Sequence, residues 1–293
     1  MTLEELIHKW FTSYEEVAGK LALYADAPAI FYQEAPADNQ RGWGKKGQYP
    51  RIVYAIDMQA NQERKSAGTM EVSLLCDEAG VPPEMIEPAV KDCLKDLIIN
   101  PENDSPYCFA WSRTDSFEIP SRERGSDTRV IGMEIRFDIL EYTSQETTDP
   151  DPVVALNRYI KEIMPEVFVL GLDKMDSFKV SNPEAPVFYC RLEGAELNRV
   201  TNTVAWMDGR IAVHVLCAAA DMRLKWVMAL ANNLSLAGEV VMLDKSPMRI
   251  KRLQVNNKVD YLKEGQLFVT VHYGLLRYKS KPHMIVEANV DFR

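Results

Sequence analysis

One strand–helix unit occurs twice in this chain, and a repeat of that size limits the possible folds more than any short motif does. In the later copy, Asp208 to Leu236, Ile211, Val213, Val215 and Cys217 alternate with Ala212, His214 and Leu216. That two-residue period marks a strand with a strongly apolar face. After Asp221, which reads as a helix N-cap, Leu224, Val227, Ala231 and Leu234 recur at steps of three and four, so they share one helical stripe. The earlier copy runs from Ala67 to Leu97, with Val72, Leu74 and Cys76 on the strand face and Val90, Leu94 and Leu97 on the helix. At an offset of 141 residues Gly68 falls on Gly209, Val72 on Val213, Leu74 on Val215 and Cys76 on Cys217.

Two further elements recur. Tyr49-Pro50-Arg51-Ile52-Val53-Tyr54 corresponds to Ala185-Pro186-Val187-Phe188-Tyr189-Cys190. A late strand with Met133, Ile135, Phe137 and Ile139 on one face corresponds to Leu267, Val269, Val271 and Tyr273. A repeat this long predicts two similar domains and not a solenoid, whose periods are about 20–50 residues. The chain has 293 residues, 46% of them hydrophobic, which is enough for two cores of ordinary size.

The segment Thr143–Pro150 (TSQETTDP) is polar, has no aliphatic residue and ends in proline, so it divides the chain into residues 1–142, a linker at 143–150, and residues 151–293. Each part opens on a helix. Thr2 and Glu5 form a capping box ahead of a stripe of Leu3, Leu6, Trp10, Tyr14, Val17 and Leu21, predicting a helix to about Tyr24. Asp151 caps and Pro152 starts the second, with Val153, Leu156, Ile160 and Ile163 as its stripe. Strands are expected near 50–58, 108–119 and 130–142, then near 167–171, 186–197, 204–218, 240–254 and 264–278, and Ser280–Arg293 reads as a tail. The expected class is α+β: two similar domains, each a mostly antiparallel sheet packed by two helices.

Composition narrows the function. The net charge of -9 argues against general nucleic-acid affinity, which needs clustered cations. No run reaches the ~20 apolar residues of a membrane span, and no cationic-then-apolar leader opens the chain, predicting no export by that route. The five cysteines (76, 93, 108, 190 and 217) contain no CxxC pair and read as free thiols. The four histidines lack the spacing of a metal site, and no cofactor is expected. His214 and His272 stand mid-strand against the apolar parity, as surface or interlayer residues.

The loop RGWGKKG, Arg41–Gly47, is followed by a strand and not a helix, so it lacks the frame of a phosphate loop. It reads instead as a docking loop, with Trp43 as its anchor among Arg41, Lys45 and Lys46. The polar hairpin segment Asn61–Lys65 is the other candidate interface, through Gln62, Glu63, Arg64 and Lys65. No serine elbow and no cysteine with an adjacent base is present, so no enzyme is expected.

Taken in this order, each half resembles the tail-terminator (tail-completion) proteins of tailed bacteriophages. The shared pattern is an opening amphipathic helix, a Tyr/Ala-Pro strand (Tyr49-Pro50; Ala185-Pro186), a long polar hairpin, an apolar strand–helix unit and a closing strand. Family members usually carry one such domain. The resemblance implies a homo-oligomeric ring, preferably of six chains with three as the alternative. Such a ring caps the tail tube, ends its polymerisation, contacts tube and neck or connector proteins, and lets DNA pass through. It implies a virion location after assembly in the host cytoplasm, with no membrane partner. Another neck or tube-associated structural protein, or an enzyme with an interdomain cleft, are the alternatives.

Overall fold

The computed structural model describes residues 1–45, 47–59, 66–95, 97–101, 105–119, 129–144, 148–173, 177–179 (backbone only), 186–217 and 219–277. The first half contains α1 (Leu3–Ser13), α2 (Glu15–Ala18), β1 (Leu23–Tyr24), β2 (Ala27–Pro28), β3 (Ile30–Tyr32), β4 (Arg51–Met58), β5 (Gly68–Asp77), α3 (Glu87–Leu94), β6 (Leu97–Ile99), β7 (Tyr107–Ile119) and β8 (Val130–Glu141). The second half contains α4 (Pro152–Ile163), β9 (Phe168–Val169), β10 (Ser177–Lys179), β11 (Val187–Val200), β12 (Val204–Leu216), α5 (Ala220–Ala237), β13 (Glu239–Val241), β14 (Pro247–Val255) and β15 (Leu267–Leu276).

The fold is α+β, and the two halves repeat one topology. The first sheet runs β10-β6-β7-β8-β5-β4-β3 and the second β13-β14-β15-β12-β11-β9. Set aside β10 and the orders match strand for strand, down to the short parallel partner at the end: β3 beside β4, and β9 beside β11. The register agrees too. Tyr54 faces Val72 in the first sheet, as Cys190 faces Val213 in the second. One bulge falls at the same place in both halves, between Trp111 and Arg113 on β7 and between Ile250 and Arg252 on β14. The closing strand alone is out of step. Gly68 faces Ile139, whereas Gly209 faces Val271 and not Tyr273. A slip of two residues keeps every side chain on its own face, so both cores tolerate it.

Each sheet covers its helices with one apolar layer. In the first half Ile7 and Phe11 of α1 and Val90 and Leu94 of α3 lie against Tyr54, Val72, Leu74, Phe137 and Ile139. In the second, Leu156 and Ile160 of α4 and Val227, Leu230 and Leu234 of α5 lie against Phe188, Val213, Val215, Val269 and Tyr273. The caps follow the sequence. The Thr2–Glu5 capping box is formed, and Asp151 accepts from Val153 and Val154 at 2.7 and 2.9 Å.

Several expectations need correction. The first helix breaks at Tyr14, whose extended backbone ends α1, and α2 stops at Ala18. The N-cap of α5 is Ala219, which leaves Asp221 as a first-turn acid facing the helix dipole. Leu224 lies outside the buried stripe and Leu230 replaces it. The run read as one strand at 240–254 is two, β13 and β14, folded at a turn where Lys245 takes a left-handed φ of 68°. The tail at 280–293 lies outside the described residues.

A third apolar cluster joins the halves. Ile98, Cys108, Ala110, Leu140 and Tyr142 on the outer face of the first sheet pack against Leu170, Val187, Tyr189, Leu216 and Leu262. Polar groups close its rim: the Tyr142 hydroxyl donates to Leu262 O and the Tyr189 hydroxyl to Thr143 O, both at 2.9 Å. Lys263 Nζ reaches Asp138 at 2.7 Å. β10 crosses the boundary between the halves and adds an antiparallel strand to the edge of β6.

Candidate interaction surfaces

The loop between β3 and β4 is held down from within. Trp43 is half-buried, edge-on to Tyr24 at 5.0 Å and to Phe31 at 5.8 Å, and its indole N–H donates to Ala37 O at 3.1 Å. Beneath it the buried Arg51 guanidinium sits between the Trp43 and Tyr49 rings, at 5.5 and 4.8 Å from their centres. Asp38 closes the group, accepting from Arg51 at 2.7 Å and from the Tyr49 hydroxyl at 3.0 Å. The Arg51 Nε has no acceptor among the described residues. Trp43 therefore fixes the loop to its own domain, and Arg41 and Lys45 project from it into solvent. Lys46, Gln62, Glu63, Arg64 and Lys65 lie outside the described residues.

In the second half β11 and β12 form a long hairpin, with Leu197 and Val200 exposed near its turn, and β15 flanks β12 from Val213 to Val204. Midway along β12 side chains from four strands converge on Asp208. Its carboxylate accepts from Lys251 Nζ at 2.7 and 2.8 Å and from Asn198 at 2.7 Å, and it contacts His272 Nδ1 at 2.6 Å. Partial burial pushes the Asp208 pKa up, but the bonds from Lys251, His272 and Asn198 outweigh that and hold it at about 2. The His272 ring stacks on Trp206 at 5.1 Å with only 5° between planes, and Arg199 lies over the other ring at 5.6 Å. These contacts tie β11, β12, β14 and β15 together across the sheet. Sequence reading missed them because residues 198, 208, 251 and 272 meet only through the register.

Beside Trp206 lies a cleft of about 290 Å³, lined by Val204, Trp206, Asp244, Lys245, Pro247 and Leu276 among others. Its lining is mostly apolar, with Asp244 and Lys245 as the charged members. Close by, on the second sheet's outer face, Val241 is 67% and Leu276 70% exposed.

His214 sits between the two sheets, 2% exposed, beside Tyr189 and Tyr142. Neither ring nitrogen has a partner at hydrogen-bond geometry among the described residues. Burial, then the nearby Arg191, lowers its pKa to about 3, against only the Tyr261 backbone favouring the charged form. All five cysteines are free and buried, and burial lifts the Cys76 thiol to about 12. Among the described residues no three His, Cys, Asp or Glu side chains cluster to hold a metal ion, and no helix is long and apolar enough to cross a membrane. Comparison with known protein families and with curated proteins finds no match.

Proposed function

We propose that this chain is a structural protein of a phage or phage-like particle that assembles into a ring. The ring caps the tail tube, ends its polymerisation and joins it to the neck. The observation that carries this reading is the exact-order duplication of one α+β unit, with its two copies already side by side through an apolar contact. A ring needs each subunit to present one surface forwards and a different one backwards, and two unlike copies in one chain supply both. The outward features fit that role: the exposed Leu197 and Val200 near the β11–β12 turn, and a loop bearing Arg41 and Lys45. Six chains remain the preferred stoichiometry, and the virion is the proposed location.

Negative-stain images of the purified protein test the proposal, together with the length of tail tubes assembled with and without it. Rings that bind tube ends and halt growth are expected. A monomer that leaves tube length unchanged at high concentration overturns it. Rings that bind along the tube or at the neck without halting growth point to the second reading, another neck or tube-associated part. An enzyme working between the domains has less support, since Tyr142, Tyr189, Leu216 and Leu262 fill the space there.

A further inference from the structure

The two sheets differ by one strand. At the edge of the first, β6 carries β10, which pairs antiparallel with Phe178 opposite Ile98. Its counterpart in the second, β13, carries none among the described residues. The opposite edges agree with each other: β3 and β9 both end their sheets there. The repeat therefore leaves one position unfilled, beside β13. The backbone at that edge is set for a partner. Gly238 O accepts from the Ile250 N–H and the Met242 N–H donates to Ser246 O, both at 2.9 Å, so alternate residues of this segment turn to β14. The backbone groups of Glu239 and Val241 point the other way, where a further strand would pair. Val241 is 67% exposed on one face of the edge, and Val240 is buried on the other.

In the first half the strand that fills the edge comes from the chain beyond the closing strand, since β10 follows β8. In the second half the closing strand β15 ends at Leu276, and the sequence beyond it has the pattern required. Val286, Ala288, Val290 and Phe292 alternate with Glu287, Asn289, Asp291 and Arg293, the period of a strand with one apolar face. Such a segment needs a ladder partner and an apolar layer together, and the β13 edge offers both. We propose that residues 286–292 pair antiparallel with β13 of the same chain, taking in the second sheet the place that β10 takes in the first. Direction and reach agree. β13 runs parallel to β15, because each is antiparallel to β14. Val241 faces Pro247, and Arg249 faces His272, so Val241 and Leu276 lie towards the same end of the sheet. The chain leaves β15 where an antiparallel partner of β13 begins, with the Arg277 N–H still donating to Thr203 O at 2.8 Å. Crossing from β15 to the outer side of β13 takes three strand spacings, about 14 Å. Residues 278–285 extend to about 26 Å, enough for that crossing. The crossing passes the exposed Pro247 and Leu276, and Tyr278, Pro282, Met284 and Ile285 give it apolar groups to lay there. With its edge filled, the second sheet offers β13 to no other chain.

The inference does not depend on the function proposed above, because it concerns a contact inside one chain. Its test uses the full-length protein carrying Val241→Cys and Ala288→Cys, treated with a short bismaleimide. The five native thiols are buried and are spared. Linkage within a single chain is expected, running at 33.4 kDa on a denaturing gel and giving a joined 241–288 peptide after digestion. Absence of the joined peptide overturns the proposal. So does a joined peptide found only between two chains, which would give the edge to a second copy. Hydrogen exchange on the wild type is the second readout. The amides of 286–292 and of Val241 should exchange at least about tenfold more slowly than in V290D/F292D. Those of β12 and β15 should be equally slow in both, which shows that the variant is folded. A wild type whose 286–292 amides exchange like an unstructured peptide overturns the proposal, as does a variant in which they stay as slow as in the wild type.

Discussion

At the scale of single residues, the physical choices are sharpest where polar groups enter apolar layers. His214 is held neutral with its pKa near 3, while an unfolded chain restores a value near the ordinary 6.5. Between those values the unfolded state binds the extra proton, so stability falls as pH drops through that window and is fully present above it. The expected slope is about 1.4 kcal/mol per pH unit from this one group. Denaturant melts of wild type and His214→Phe between pH 4 and 7 measure it, and a variant with an unchanged slope would contradict the assignment. Asp208 acts in the same direction at lower pH. Its depressed pKa contributes stability above the ordinary carboxylate value, lost only as pH falls towards 2. Val213 is fully buried in the second core, so Val213→Asp should unfold its domain. An unpaired buried charge costs several kcal/mol, against a total stability of ~5–15 kcal/mol. The buried thiols give a simpler check: native protein should react slowly with a thiol reagent, and denaturant should release all five.

At the scale of elements, legibility tracked length. β7, β8, β11 and β12 run for 12 to 14 residues, long enough for alternation to show in the sequence. β6, β10 and β13 have three residues each, which define no period, and they form because a neighbouring strand offers an edge. Helix α5 was readable as a helix but not in its orientation. Leucine, methionine and alanine occur on several of its faces, so Leu224 and Leu230 could not be told apart before packing. The candidate surfaces divide similarly. The loop around Trp43 stood out by composition, but its grip on Tyr24, Phe31 and Arg51 could not, since those contacts come from three other segments. Trp43→Ala should therefore loosen the 33–50 loop while leaving the secondary structure intact. Limited proteolysis should cut the variant within the loop faster than wild type, with an almost unchanged circular dichroism spectrum.

At the scale of the whole molecule, the apolar contact between the halves should make them unfold together. Tyr142 contributes its ring to that contact and its hydroxyl to Leu262. Tyr142→Ala is expected to split one calorimetric transition into two, and a single unshifted transition would show that Tyr142 does not couple the halves. The charge distribution carries a further expectation for the proposed ring. With 43 acids against 34 bases, a lumen can be neutral or negative and repel a duplex over a screening length of ~8 Å. Among the cations at 245–252, Lys251 is paired with Asp208. Little salt-sensitive DNA binding is expected from the isolated assembly, and tight binding at low salt would contradict a passive conduit.

The two halves are tied by the short polar stretch from Thr143 to Pro150, which leads from the last strand of one into the first helix of the other. A tether that short holds the two domains at an effective concentration in the millimolar range. Their meeting is a first-order event, indifferent to how much protein a cell has made. Two separate single-domain chains would part on dilution, but this pair cannot. Whatever the chain builds, it starts from a subunit in which one contact has already been made.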